Sequence, residues 1–382
     1  MTTQPSPANA LFDETLLDDP DALESADASL RAQAEAGARV RREAAASSTA
    51  LSGIHRLGRP RALLAAGADA RLLRAVLEPW CPVPFVAWPA PGLPGWAGPN
   101  DLVLVLAPDG TDEDAVSTVA EALRRGAPLL VAAPEGSAVA DGLGGRETVL
   151  LPSVTGDVLA AAVVVLQSLC ELGLGPEVET ETVASAFDEV AVRCSPARDL
   201  TVNPAKELAL VLADSLPLLW GGTVLAARAA RRVVEAIRTV TGRPGLAADA
   251  GHLLPVLEAA PPADLFADPF ADGAGGLGRR PALVVLDDGS QAPAVRAHRA
   301  RLLATAERHA VRSHVLACAD GPEMARYAAL LAEGTYAATY LALGLGRFAG
   351  SADRSGSADR SGSGSGSADR SGSGSGSADR SA

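Results

Sequence analysis

Two stretches of this chain place turn-forming residues between an apolar run and an amphipathic helix. That arrangement binds anions, because free backbone N–H groups and the helix dipole converge on the loop. The first is "DLVLVLAPDGTDEDAVSTVAEALRRG", residues 101–126. Thr111 is expected to cap its helix, with Asp114 three residues later closing a capping box, and Gly110 makes the turn. Yet Pro108 has no N–H to donate, and Asp109 brings negative charge to where a phosphate would sit. The second stretch is Gly221-Gly222-Thr223, between "LPLLWG" and a long helical pattern. It reads as the counterpart of the first loop with two glycines and a hydroxyl in place. The competing reading is a tight turn with a cap.

Acid–base chemistry has few candidates. Of five histidines, His298, His309 and His314 sit within or beside an arginine-rich helix and read as surface residues. His55 has no spaced partner. His252, in "ADAGHLLPVLE", opens a predicted helix after a loop and is the one histidine placed for a site. No HExxH, GxSxG, Walker A or GxGxxG occurs, and the glycines of 142–145 and 273–278 lack the strand–turn–helix setting of a nucleotide loop. Neither a metal nor a cofactor is expected.

These residues need a scaffold, and the hydrophobic pattern supplies an α/β one. "RALLAAG", "VPFVAW", "DLVLVLA", "PLLVAAP" and "TVLLP" are candidate strands separated by helical or loop segments. Strands alternating with helices imply a parallel sheet between helical layers. "TGDVLAAAVVVLQSLCELGL" is apolar nearly all round and should be a buried helix closing this unit. The pattern then repeats in outline. "NPAKELALVLADS" is a helix, "LPLLWGG" a strand and "TVLAARAARRVVEAIRTVTG" a long helix, followed by "PALVVLDD", another helix, "SHVLACA" and a last helix from Pro322 to Leu345. The expected organisation is a helical segment over residues 1–45, an α/β unit over 46–175, a connecting helix or linker over 176–200, a second α/β unit over 201–348, and a tail over 349–382. That tail repeats Ser-Ala-Asp-Arg with Gly-Ser spacers, has nothing to bury, and is expected to be disordered.

Bulk properties exclude several functions. The chain has 382 residues and a net charge of −13, with Lys206 its only lysine. No basic cluster lacks acidic neighbours, which argues against nucleic acid. Cys81, Cys170, Cys194 and Cys318 form no CxxC pair and read as reduced thiols of a cytoplasmic protein. The acidic first residues do not form the basic start of a signal peptide, and the longest apolar run, Val158 to Leu166, is too short to span a bilayer.

The tandem halves, with Asn203-Pro204-Ala205-Lys206 opening a helix that leads into a strand and with the closing "EGTYAATYLALGLG", resemble a known family. It is the bifunctional phosphoglucose/phosphomannose isomerases, two-domain members of the sugar isomerase (SIS) superfamily, and the likeness covers roughly Leu51 to Arg347. The resemblance implies two flavodoxin-like αβα SIS subdomains, a hexose 6-phosphate ligand, a homodimer and no metal. It also implies a glutamate that moves a proton between C2 and C1 and a histidine that helps open the ring. An aldose–ketose shift needs such a base, and an anchored phosphate to hold C1 and C2 against it.

Carried over residue by residue, the family's site is largely replaced. Its phosphate loop is typically Ser-Tyr-Ser-Gly-Asn-Thr-Glu-Glu-Thr. The serines fall on Leu106 and Pro108, the glycine on Asp109 and the asparagine on Gly110; Thr111 alone matches. In the preceding loop Gly67 is kept and Asp69 lies near the family's serine. A carboxylate about 5 Å from a phosphate charge opposes it by about 3 kcal/mol at an effective dielectric near 20. The family glutamate falls on Thr239, which cannot take a proton from carbon, while Glu235 lies one turn earlier on the same face. His252 lines up with the family histidine. The expected ligand contacts are therefore Gly67, Gly110, Thr111, Gly221, Gly222 and Thr223, with His252, Glu235 and the Thr239 position as the catalytic set. Two functions follow: a sugar-phosphate isomerase with rearranged residues, or a non-catalytic binding or regulatory protein on the same scaffold.

Overall fold

The computed structural model describes residues 11–67, 70–145, 147–261 and 279–348. The expected tail, Asp69 and the 273–278 glycines lie outside these residues. Three helices lead in: α1 (Pro20–Ser25), α2 (Asp27–Ala34) and α3 (Ala36–Ser52). The first half then runs β1 (Ala62–Gly67), α4 (Ala70–Leu77), β2 (Phe85–Ala87), β3 (Asp101–Leu106), α5 (Glu113–Arg125), β4 (Leu129–Ala133), β5 (Thr148–Pro152) and α6 (Val158–Glu171). All strand pairs are parallel, in the order β2-β1-β3-β4-β5. Every residue of β3 is buried, as a central parallel strand covered on both faces must be.

After α7 (Thr180–Arg193) and α8 (Pro204–Leu212), the second half repeats the plan. It runs β6 (Leu216–Gly221), α9 (Val224–Thr241), β7 (Leu246–Ala247), α10 (Ala250–Glu258), β8 (Pro281–Asp287), α11 (Pro293–Arg308), β9 (Arg312–Ala317) and α12 (Glu323–Gly344). Its parallel sheet has the order β7-β6-β8-β9, which repeats β2-β1-β3-β4. The registers agree as well: Gly67 lies opposite Leu106, and Gly221 opposite Leu286. This makes β6 the counterpart of β1 and β8 the counterpart of β3.

That equivalence corrects one expectation. Gly221-Gly222-Thr223 corresponds to the turn at Gly67, and the counterpart of the loop after β3 is the acidic turn that follows β8. Apolar patterning marks strands but carries no strand order, so the assignment could not be made from the chain alone. The two-residue β7 was missed for a related reason, being too short to show periodicity.

The halves share one core. Leu72, Leu73 and Leu77 of α4 and Leu225, Ala229 and Val233 of α9 belong to the same buried cluster, and α4 packs on α9. The end of α4 lies beside the start of α9, where Ala75, Pro79 and Trp80 line one hollow with Thr223, Val224 and Leu225. Separate clusters lie on each sheet's outer face, one under α5 and one under α10 and α11.

The two segments that carried the family resemblance are packing devices. Asn203 caps α8, its Oδ1 accepting from Ala205 N and Lys206 N at 3.1 and 3.2 Å. Lys206 is fully buried. Its Nζ donates to Asp18 Oδ1 at 2.6 Å, Arg198 O at 2.9 Å and Pro196 O at 3.2 Å, and it stands 5.5 Å over the Tyr340 ring. All three ammonium donors are thereby used, and the leading segment is pinned to the second half. Along α12, Gln33 Nε2 donates to Thr339 Oγ1 at 2.6 Å and Tyr340 Oη to Cys194 O at 2.7 Å. The cysteines are free thiols, and burial pushes Cys194 up to about 12. No described helix is long and apolar enough to cross a membrane.

Candidate functional site

The loop after β3 has the shape of an anion cradle and is closed on itself. Gly110 holds a φ of +71°, and a Cβ there would come within 2.5 Å of Ser137 Cβ, so only glycine fits this turn. Its N–H donates to Ala107 O at 2.9 Å. Thr111 N donates to Asp109 Oδ1 at 3.3 Å, while Asp112 Oδ1 accepts from Asp114 N and Ala115 N at 2.9 and 3.3 Å. The expected cap at Thr111 is thus corrected: Asp112 is the N-cap, and Thr111 is an exposed residue outside the helix. A carboxylate accepts more strongly than a hydroxyl beside the positive helix end, which explains why Asp112 takes the position.

Two other strand ends are filled in the same way. After β5, Glu43 of α3 reaches across and buries its carboxylate with 2 % exposure. It accepts from Thr155 N at 2.8 Å, from Val154 N and Ser153 Oγ at 3.1 Å, and from Thr155 Oγ1. After β8, Gly289 N donates to Asp287 Oδ1 at 3.1 Å and Ser290 N to Asp288 Oδ1 at 3.3 Å. Thr223 Oγ1 donates to Asp288 Oδ2, and Arg299 pairs with Asp287. Thr223 also caps α9, accepting from Ala226 N at 3.2 Å. Gly221 is required by close approach, since a Cβ there would lie 2.1 Å from the Ala226 carbonyl carbon. The second-half turn is therefore filled by strand–helix packing and by Asp288.

The open volume lies elsewhere. A cleft of about 670 Å³ runs between α4 and α9 and is closed at one end by β7. Along α9 its wall is Val224, Arg228, Arg231, Glu235 and Arg238, a helical stripe at spacings of four, three, four and three. From α4 come Arg71 and Arg74, and Glu78 follows directly after that helix. Arg74 pairs with Glu78 at 3.1 Å and Arg232 with Glu235 at 3.4 Å. Arg71, Arg231 and Arg238 have no carboxylate partner among the described residues. A smaller hollow of about 300 Å³ at the opposite end of the helix pair is lined by Trp80, Thr223, Val224 and Asp288 among others.

The predicted site residues separate into groups. Gly67, Gly110 and Thr111 share one switch point, where β1 and β3 end side by side. Gly221, Gly222 and Thr223 share the other, at the opposite end of the α4–α9 pair. Glu235 stands in the cleft. Thr239 is exposed, its Oγ1 donating to Glu235 O at 2.9 Å, and does not line the cleft. His252 is exposed near the start of α10 and lies outside the lining. No hydrogen bond joins it to Glu235 among the described residues. Sequence reasoning missed the cleft arginines, although the stripe on α9 was a readable signal. It also missed Glu43, whose partners are more than a hundred residues away. Among the described residues, no group of three or more His, Cys, Asp or Glu is arranged to hold a metal ion.

Known proteins share this architecture. Residues 201–347 match the family model of the bacterial phospho-glucose isomerase C-terminal SIS domain. No curated protein matches the sequence. Among solved structures, the chain is similar to the C-terminal domain of glucosamine-fructose-6-phosphate aminotransferase from Francisella tularensis. The identity is 12%, covering 83% of this chain and 96% of that one, with a TM-score of 0.55. A provisionally named phosphosugar isomerase from Bacillus subtilis is similar at 14% identity, covering 78% and 95%, with a TM-score of 0.52. A glucose-6-phosphate isomerase like protein from Thermus thermophilus shows 18% identity, coverage of 79% and 91%, and a TM-score of 0.46. At these identities the likeness is one of fold. Residues 201–347 thus carry the match to a SIS domain of the phospho-glucose isomerase type, and the two halves repeat one parallel-sheet plan.

Proposed function

We propose that this tandem SIS protein, related by its second half to phospho-glucose isomerases, binds an anionic sugar derivative between α4 and α9 without isomerising hexose 6-phosphates. One observation carries the reading. Several N–H donors at the strand ends, among them those of Asp114, Ala115, Thr155 and Ser290, are engaged by the chain's own carboxylates, whereas three guanidinium groups of the cleft have no carboxylate partner among the described residues. Displacing a carboxylate that already accepts charge-assisted bonds gives a phosphate little net gain. A guanidinium facing an open cleft offers a forked pair of donors that matches a phosphate directly.

Turnover fails for a separate reason. Aldose–ketose exchange needs a carboxylate within hydrogen-bond reach of C1 and C2 and a substrate fixed against it. Thr239 carries no base, His252 is outside the cleft, and Glu235 is engaged by Arg232. The homodimer implied by the family resemblance belongs to the same reading, and sedimentation at micromolar concentration tests it.

The deciding experiment is a coupled isomerase assay with glucose 6-phosphate and mannose 6-phosphate, run beside calorimetric titration of the same compounds. The expected result is binding that weakens in Arg231→Gln and Arg238→Gln, with turnover no faster than the uncatalysed reaction. A second reading, isomerisation with Glu235 as base, is favoured by the presence of that carboxylate in the cleft. Turnover by the unmodified protein that Glu235→Gln abolishes would establish it and overturn ours.

A further inference from the structure

The smaller hollow, of about 300 Å³, is charged in the opposite sense to the cleft. Asp288 and Glu323 line it, and no lysine, arginine or histidine does. Asp288 is only 8 % exposed, so its carboxylate lies almost wholly out of water. Its oxygens accept from Thr223 Oγ1 and from Ser290 N, the latter at 3.3 Å, and neither donor brings a positive charge. Arg299 pairs instead with the adjacent Asp287, and Asp288 has no cationic partner among the described residues. A buried carboxylate held by neutral donors alone keeps much of its desolvation cost. Two of its roughly four acceptor positions are also left over.

The same hollow exposes an aromatic face. Trp80 is 60 % exposed and Val224 57 %, and both line it. An indole ring attracts a cation placed over its face, more strongly where water is displaced. The donor set does not suit a metal ion, since hard cations take six or more oxygen ligands and no group of three or more His, Cys, Asp or Glu is arranged for one among the described residues. An anion would meet like charge, and a neutral sugar would leave the buried charge unanswered. We propose that this hollow binds a small organic cation with N–H donors, a protonated primary amine, its ammonium against Asp288 and its carbon body over Trp80 and Val224. A hollow of about 300 Å³ is at the lower limit of small-molecule sites and suits a body of a few carbons. Ala75 and Val224 border the cleft as well, but the charges are opposite, and the proposal stands whatever the cleft holds.

The test is titration of the full chain with n-butylammonium at neutral pH and fixed ionic strength, followed through the tryptophan indole N–H signals by NMR. The signal lost in Trp80→Phe identifies Trp80. Two controls separate the contributions: n-butanol has the same body without charge, and tetramethylammonium has the charge without N–H donors. Butylammonium is expected to shift the Trp80 signal saturably and to bind at least about tenfold more tightly than either control. Asp288→Asn should weaken it about tenfold and Glu323→Gln about threefold, while Arg231→Gln in the cleft leaves it unchanged. No shift at Trp80, or equal binding of butanol or tetramethylammonium, would overturn the proposal. If Asp288→Asn disturbs the turn after β8 and lowers the melting temperature, Trp80→Ala and Glu323→Gln carry the test, because both side chains are exposed. Affinity unchanged in both of those variants would overturn it equally.

Discussion

The loop after β3 and the cleft between α4 and α9 face opposite electrostatic problems. In the loop, donors are plentiful and three are answered by the chain's own carboxylates: Asp109 and Asp112 hold Thr111 N, Asp114 N and Ala115 N. In the cleft the donors are side chains, and Arg71, Arg231 and Arg238 are answered by no carboxylate among the described residues. The first arrangement is stable without a ligand, because helix N-termini left bare would each lose a capping contribution of about 1 kcal/mol. The second is paid for by solvent alone and is completed by an anion. A parallel α/β scaffold can therefore close the loop at a strand end while leaving uncompensated charge on its helices.

The most severe way to break this contrast is to empty a filled cradle. Glu43→Ala removes a buried carboxylate and strands Ser153, Val154 and Thr155 as donors, for an expected loss of about 3–4 kcal/mol in chemical denaturation. Sulfate in the tens of millimolar should then raise the melting temperature of the variant more than that of the parent, since the cradle can take an external anion. If sulfate stabilises both proteins equally, the cradle does not work as an anion site even when vacant.

A smaller effect is expected where a cation rather than an anion is enclosed. Asp18→Asn removes the negative charge facing the buried Lys206 ammonium and leaves it neutral oxygen partners alone, at a loss of about 2 kcal/mol; Asp18 is itself half-exposed, and solvent limits the loss. The hydrogen bond from Lys206 holds the Asp18 carboxyl below its ordinary value. A carboxyl depressed in the folded state stabilises above its unfolded pKa of about 3.9, and that contribution is lost as pH falls through the folded value. The stability gap between parent and Asp18→Asn should therefore be level from about pH 5 to 8 and close below about pH 4. A gap that persists in acid would show that the variant acts through packing and not through the ion pair.

What was legible in the sequence follows the same division. Strands such as Leu102–Leu106 and the tandem plan were readable because burial on both faces forces an unbroken apolar run. The resemblance was readable through Asn203 and Lys206, whose roles in capping and burial tolerate little change. The cap at Asp112 was misassigned to Thr111 because both residues suit an N-cap and lie side by side, and only backbone geometry separates them. Glu43 gave no local signal, since its contacts with Ser153–Thr155 arise from the packing of α3 against the end of β5. The cleft needed both helices. Arg71 of α4 and Arg238 of α9 line it together because the two helices pack on each other, an arrangement that no periodicity within either segment encodes.

The smallest expected effect belongs to the change that sequence alone would place first. Pro108→Ser with Asp109→Gly returns an N–H and a hydroxyl to the loop after β3 and removes one charge. In the folded protein, however, Gly110 N remains bonded to Ala107 O, and Asp112 still accepts from Asp114 N and Ala115 N. Affinity for glucose 6-phosphate should therefore change by less than about threefold, or roughly 0.6 kcal/mol, by calorimetric titration. Adding Asp112→Ala frees two N–H groups at the helix start, at a stability loss of about 1 kcal/mol. Only that triple variant should gain a second, weak phosphate site, one that survives Arg231→Gln and Arg238→Gln. A large gain from the double change alone would mean that Asp109 and Pro108 were the whole obstruction and that the Asp112 cap yields readily to a ligand. The self-capped loop would then be a competing site rather than a closed one, and the contrast with the cleft would be one of degree.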